Sequence, residues 1–286
     1  MAHLIKHDLY DWNSVDAMFR AWCGFIDELF MLGMINVTDA GQINLSTVVH
    51  PATGDVSSGY KIYRTNDALT PVFLKVEFGG YFSASPPCIW MTIGTAYTVG
   101  GTMGGRILLA RTQIYTQAQS VTKLQTCMGS AGPNRICFAM FIDADAAPFW
   151  FSFERRKNSS LADADTGVLI DWGGGATQHY SLCAPFEGVI PVKENGLQFI
   201  LTTVNPGIYG SEVPVGLRIP VLGPSEAPGK NIGFCNSADF GDYAEPMLTI
   251  GTEEIAFKHC GPYIHNLRGA SAQWIDPQTR LLLRFD

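Results

Sequence analysis

Four groups of residues in this chain are of types and spacings that could do chemistry. Asp143-Ala-Asp145 closes the apolar run RICFAMFI. Alternate positions on a strand share a face, so the two carboxylates could hold a divalent cation or share acid–base work. A turn after a strand also commonly opens on Asp, and Ala146-Ala147-Pro148 follows at once, so the turn reading is the stronger one. Asp163-Ala-Asp165-Thr-Gly167 resembles the opening of a calcium loop, but its glycine stands one place early, and Gly174 occupies the position where a bidentate Glu belongs. Calcium takes roughly six to eight oxygen ligands, so neither aspartate pair is expected to bind a catalytic metal. Gly173-Gly174-Gly175 would cradle a phosphate only if it opened a helix, yet ATQHYSLC after it reads as a strand, and no Lys-Ser/Thr pair accompanies it. His259-Cys260 with His265, or His179 with Cys183, could supply a Cys–His nucleophilic pair. The competing reading makes Cys260 a core residue at a strand end and His259 its solvent-facing neighbour.

Neither G-x-S-x-G nor H-E-x-x-H occurs. Two acids far apart in sequence could still meet as a glycan-cleaving pair, which spacing alone leaves open. The chain is therefore expected to be no enzyme, with no catalytic residue, metal or cofactor, and its function is to be sought in surfaces and partners.

The elements that would position these residues are mostly short strands. In GYKIYRTNDALTPVFLKVEFGG, Gly59 to Gly80, the side chains of Val72, Leu74, Val76 and Phe78 alternate with Phe73, Lys75 and Glu77, the period of a half-buried strand. Ile89, Met91 and Ile93 in CIWMTIGT repeat it. Further strands are expected over 61–64, 106–110, 135–141, 149–154, 169–172, 180–183, 197–203, 215–221, 254–259 and 280–285, and Ile43, Leu45 and Thr47 begin another alternation. Residues 110–128 lack clean alternation and read as a helix or an extended crossing. Thirty glycines and 16 prolines supply turns, among them Asp39-Ala-Gly41. The fold class expected is all-β, an antiparallel sandwich or barrel-like domain, one unit over 1–286 with a possible elaborated C-terminal part over 224–286.

One helix is expected, over 13–33, capped by Asn13, with Asp16 near its start and Gly33 as terminator. Val15, Phe19, Trp22, Ile26, Leu29 and Phe30 form its apolar stripe, and Asp16 and Arg20 an i,i+4 pair on another side. The stripe would cover the chain's own sheet or pack on the same helix of a neighbouring subunit.

Composition narrows the partners. Hydrophobic residues make up 47% and charged residues only 16%, below the roughly 25% usual in soluble domains. A net charge of −7 argues against an unspecific nucleic-acid face. The one basic run, Arg155-Arg156-Lys157, reads as a solvated strand end. The N-terminal MAHLIKHDLYDW lacks the pattern of a secretion signal, and no apolar run reaches the roughly 20 residues of a membrane span. Seven scattered cysteines with no CxxC pair point to buried thiols in a protein assembled in reducing cytoplasm.

The segment GYKIYRTNDALTPVFLKVEFG, then IWMTIGT and the glycine-rich VGGTMGG, resembles tail-associated structural proteins of tailed bacteriophages. The corresponding parts are Gly59 to Arg64, Asn66-Asp67, Pro71 to Phe78 and Ile89 to Gly105, and the resemblance covers about the first 110 residues. It implies a virion component of the tail tip, baseplate or neck and collar, assembled in the host cytoplasm as a symmetric homo-oligomer beside other virion proteins. The competing expectation is a module that binds a host-surface glycan through loop Trp, Asn and Asp. Candidate interface residues are Trp22, Tyr209, Phe234, Phe240 and Tyr243. The stretch 223–241, GPSEAPGKNIGFCNSADFG, reads as one long surface loop, with Phe234 or Phe240 anchoring it in a neighbour.

Overall fold

The computed structural model describes residues 2–7, 14–51, 56–66, 70–80, 87–114, 126–141, 149–157, 166–174, 178–185, 192–195, 202–204, 217–219, 231–236, 241, 244–250, 253–260 and 279–286. Among the described residues it is mostly β, with two antiparallel sheets, a third sheet curled into a half-barrel, and a single helix near the N-terminus. The seven-stranded sheet has the order β1 (Ala2–His7), β7 (Thr126–Gly132), β8 (Arg135–Phe141), β9 (Phe149–Lys157), β10 (Thr166–Gly174), β11 (Gln178–Pro185), β12 (Val192–Asn195). The six-stranded sheet runs β13 (Thr202–Val204), β14 (Leu217–Ile219), β15 (Ile232–Asn236), β18 (Thr279–Arg284), β17 (Glu253–His259), β16 (Met247–Ile250). The five-stranded, curled sheet runs β2 (Ile35–Asn36), β3 (Val56–Arg64), β4 (Phe73–Gly80), β5 (Pro87–Thr98), β6 (Thr102–Ile114).

The helix α1 covers Val15–Gly33. Its cap is Ser14, one residue beyond the expected Asn13: the Ser14 hydroxyl accepts from the Ala17 amide at 3.4 Å. Met18, Phe19, Trp22, Cys23, Phe25, Ile26, Leu29 and Phe30 are buried between the seven-stranded and five-stranded sheets. Trp22 meets Phe78 edge-on at 6.1 Å and donates its indole N–H to the Met140 sulfur, while Phe30 packs on Tyr63 at 4.5 Å. The stripe thus covers the chain's own sheets. Val15, at the open end of the helix, does not join it and is exposed. Asp16 and Arg20 do not pair with each other either. Asp16 accepts from the His50 amide at 2.9 Å and Arg20 donates to the Val48 carbonyl at 3.1 Å, so both reach the segment after Asn44. Gly33 ends the helix because the chain passes tightly there. A Cβ would lie 2.8 Å from the carbonyl oxygens of Arg135 and Gly132, at the Pro133-Asn134 turn between β7 and β8.

The central strands β7, β8 and β9 of the seven-stranded sheet are buried on both faces. Ile136, Phe138, Met140, Phe151 and Phe153 join the helix-side core, while Met128, Cys137, Ala139 and Trp150 meet Ile232, Cys260, Leu281 and Leu283 of the other side. Such strands read as nearly continuous apolar runs, as RICFAMF and FWFSF do.

Several expectations change. The alternation at Ile43, Leu45 and Thr47 is a turn, closed by Thr47 N–H on the Asn44 carbonyl at 3.2 Å, with Ile43 and Leu45 leaning on the core. Residues 223–241 are not one loop, since β15 lies inside them and pairs along β18, with Asn231 and Ile232 buried. Residues 110–128 enter and leave as strand, in β6 and β7, and 115–125 lie outside the described residues. The strands β1, β2, β7, β12, β15 and β16 were not foreseen as such.

Candidate interaction surface

The residues with chemical potential divide into buried ties and outward groups. His259 is not a solvent-facing neighbour of Cys260: both are buried, on the last residue of β17 and the one after it. Cys137 lies inside, its thiol donating to the Arg284 carbonyl at 3.6 Å, and burial pushes it up to about 11, far from a reactive thiolate. Cys23, Cys88, Cys127 and Cys260 are likewise buried and unpaired with another cysteine. Arg284 ties Glu253 at 3.0 Å and Asp286 at 2.5 Å, and Arg135 reaches Asp286 as well. Arg155 is no solvated strand end, since its guanidinium donates to the Thr70 carbonyl at 2.7 Å and the Thr65 hydroxyl at 3.3 Å. Gly173 and Gly174 end a strand that pairs with the next strand, so they open no helix. His179 and Cys183 both belong to β11, with their side chains outside the described residues. Among the described residues no group of three His, Cys, Asp or Glu is placed to hold a metal. Asp143, Asp145, Asp163, Asp165 and His265 lie outside the described residues.

Outward groups concentrate on the curled sheet. Its strand β4 turns Leu74, Val76 and Phe78 inward and Phe73, Lys75 and Glu77 outward. Glu77 accepts from Arg111 Nε at 2.9 Å and faces Lys75 Nζ at 4.0 Å. Lys75 stands 4.7 Å over the Tyr60 ring and Arg111 4.5 Å over the Trp90 ring. The alternation in β4 marked Lys75 and Glu77 as outward. It gave no sign of Arg111, which arrives through register shifts between Met91 and Ala96 where β5 pairs with β6.

Those shifts curl the β5–β6 hairpin so that its tip, Val99–Gly101, returns to the β2–β3 connection. Asp39 clamps it there. One carboxylate oxygen accepts from the Gly41 amide at 2.8 Å and the Tyr60 hydroxyl at 3.2 Å, the other from the Gly100 amide at 3.0 Å. The Gly41 amide foremost, then the Gly100 amide and Tyr60 hydroxyl, hold the Asp39 carboxyl below its ordinary range against the opposing effect of desolvation. Burial, and next the hydrogen bond to the Asp39 carboxylate, push the Tyr60 phenol up. Gly101, at φ 77°, lies flat on the Tyr60 ring, where a Cβ would come within 2.4 Å of Cζ. Tyr97 donates to the Thr38 carbonyl at 3.5 Å and packs on Phe73 at 5.1 Å. Fixed on both sides, the tip presents Val99 with 78% of its surface exposed, and Ile107 on β6 is exposed too.

Of the interface candidates, Trp22 is 1% exposed and spends its ring inside its own chain. Phe234 lies on β15 opposite Leu281, with its side chain outside the described residues. Tyr209, Phe240 and Tyr243 lie outside the described residues. No protein-family model, no curated protein and no solved structure matches this chain.

Proposed function

We propose that this chain is a structural protein of a bacteriophage virion, a homo-oligomeric joint or ring of the tail, baseplate or collar, whose partners are further copies of itself and other virion proteins. Its work is contact, with no catalytic step and no cofactor. The observation that carries this reading is the β5–β6 tip: a large apolar side chain, Val99, almost wholly in solvent on a turn held by Asp39, Tyr60 and Tyr97. A turn ordered before contact loses little entropy on docking, so even a modest apolar area contributes to association. Met31, Leu32, Val49 and Val56 are exposed as well, on a chain with few charges to keep apart from its neighbours. The virion assignment itself rests on the resemblance of the first part of the chain. Glycan binding by the curled sheet has less support, because Trp90 is 3% exposed beneath Arg111 and the Tyr60 face is taken by Gly101 and Lys75.

Sedimentation of the purified protein and a map of the particle test the proposal. The expected result is a trimer, hexamer or dodecamer in solution or in the particle, and a Val99→Asp chain that folds as the parent does but assembles poorly. A monomer in solution together with an isolated copy in the particle would remove it.

A further inference from the structure

The hollow side of the curled sheet carries two cations whose hydrogen bonds the chain itself does not use up. Phe73, Lys75 and Glu77 of β4, with Tyr60 and Trp90 on the strands beside them, share the face turned away from α1. The β5–β6 hairpin returns over that same face, Tyr97 on Phe73 and Gly101 on Tyr60, so these charges stand inside the curl. One oxygen, Glu77 Oε2, gathers both cations. It accepts from Arg111 Nε at 2.9 Å and faces the Lys75 ammonium at 4.0 Å, beyond hydrogen-bond reach. Lys75 is 19% exposed, and its other contact is the Tyr60 ring, 4.7 Å away. Among the described residues, then, none of its three N–H donors has an acceptor. Arg111 commits only its Nε to Glu77 while its guanidinium stands over the Trp90 ring, which leaves both Nη nitrogens without a protein acceptor. Asp39, at the hydroxyl end of the Tyr60 ring, is bonded to the Gly41 and Gly100 amides and does not reach Lys75.

We infer that Lys75 and Arg111 together bind a carboxylate, carried by an Asp or Glu side chain of another chain or by a free carboxylic acid. Geometry and charge both select that group. The Nη pair of Arg111 is a fork for two coplanar oxygens, and the ammonium, turned to the same Glu77 oxygen, adds a point charge beside it. Two cations around one carboxylate leave a surplus of one positive charge. A carboxylate neutralises it, whereas a phosphate dianion would set its second charge against Glu77. The aromatic faces are occupied by the cations themselves, so the site offers N–H groups and charge but no surface on which a sugar ring could stack. Glu77 has a positioning role here. With the two rings it holds the donors in place beforehand, so little side-chain freedom is lost on binding.

This inference goes beyond the homo-oligomer reading and does not depend on it, because a free acid would satisfy the site in a monomer.

The test has two arms, both on the full chain. In the first, acetate, and separately inorganic phosphate at equal ionic strength, is titrated while the arginine Nε–H signals are followed by NMR. The Arg111 signal should saturate at acetate concentrations about ten-fold below those that move other arginines, the difference one charge-assisted hydrogen bond supplies. Lys75→Met, which keeps the stem over Tyr60 and drops the charge, should raise that midpoint about ten-fold at an unchanged thermal midpoint, and Lys75→Arg should restore it. Should Lys75→Met fail to fold, the wild-type comparison of acetate with phosphate still decides. In the second arm a water-soluble carbodiimide joins Lys75 to any carboxylate it touches, forming an amide and taking up the released water as its urea, in a mixture of isotope-labelled and unlabelled chains. A link from Lys75 to another chain identifies a protein side chain as the source. Acetate saturation without such a link identifies a free acid. Linear acetate shifts common to all arginines, with Lys75 joined to Glu77 alone or to nothing, would overturn the inference, and so would phosphate held as tightly as acetate.

Discussion

The two faces of the seven-stranded sheet meet their neighbours by different means. Toward α1 the contact is made by volume: Ile136, Phe138, Met140, Phe151 and Phe153 against Phe19, Trp22, Ile26 and Leu29. Dispersion and burial are non-directional, so this face can tolerate small shifts of its partner. Toward the six-stranded sheet, Met128, Ala139 and Trp150 are interleaved with Ser130, Cys137 and Ser152, which lie in one lateral row across β7, β8 and β9. There Asn231 donates to the Phe153 carbonyl at 2.9 Å and the Ser152 hydroxyl at 3.2 Å, and its own carbonyl accepts from the Arg284 amide at 2.7 Å. Hydrogen bonds fix direction where apolar contact does not. The helix side supplies most of the binding of layers, and the other side fixes where the six-stranded sheet sits.

Two measurements could break that comparison, and a third extends it to the curled sheet. Trp22→Ala removes the largest side chain from the volume-filled face and should cost about 3–5 kcal/mol in denaturant unfolding at matched oligomer state; a loss under about 0.5 kcal/mol would show that the ring is not part of the core. Asn231→Ala should cost less, about 1–3 kcal/mol, the range for leaving buried partners unmatched. Its signature is local. Amides of β15 and β18 should exchange faster while those of α1 keep their protection, and a uniform change across both would mean the two faces act as one. The smallest effect concerns the curled sheet. The Asp39 carboxyl is depressed on folding, so its contribution is complete above the ordinary aspartate value of about 3.9 and is lost as pH falls through the lower folded value. Acid should therefore loosen the Gly100 and Gly101 amides, read by hydrogen exchange, and Asp39→Asn should show the loosening already at neutral pH.

How much of this could be read from the sequence depends on how local the cause was. Val72, Leu74, Val76 and Phe78 alternate because one face of β4 is buried, and all four are fully inside. The strand 135–141 was legible to the residue, because Pro133-Asn134 turns the chain before it, with Asn134 at φ 57°. In β7, TCMGSAG offers small residues with little preference for a strand, and that state is imposed by β1 and β8 on either side. The strand β15 is five residues set among glycine, proline and asparagine, and it exists through pairing with β18 far along the chain. His259 looked like the outward half of an alternation, but it continues the inward set of Ile255 and Phe257, and Cys260 just past the strand end is buried as well. The Asp39 clamp was equally invisible. Its turn with Gly41 was legible, its grip on Gly100 was not, because that contact depends on how strongly the β5–β6 hairpin curls.

The strand order of the seven-stranded sheet also has a consequence in time. From β8 to β12 every strand pairs with the one before it, so this meander can zip up from neighbouring segments with short loop closures. At its near edge Ala2 must find Ala131, and that pairing completes the sheet beside α1. The strand β18, too, is made only after everything it pairs with, since it inserts between β15 and β17. During synthesis β1 and α1 are made well before β7 to β10; β3 and β4 can cover part of the α1 stripe early, through Tyr63 and Phe78, but its side toward the seven-stranded sheet stays uncovered until the meander exists. Synthesis rate and chaperone supply should then govern the yield of this protein more than its final stability does.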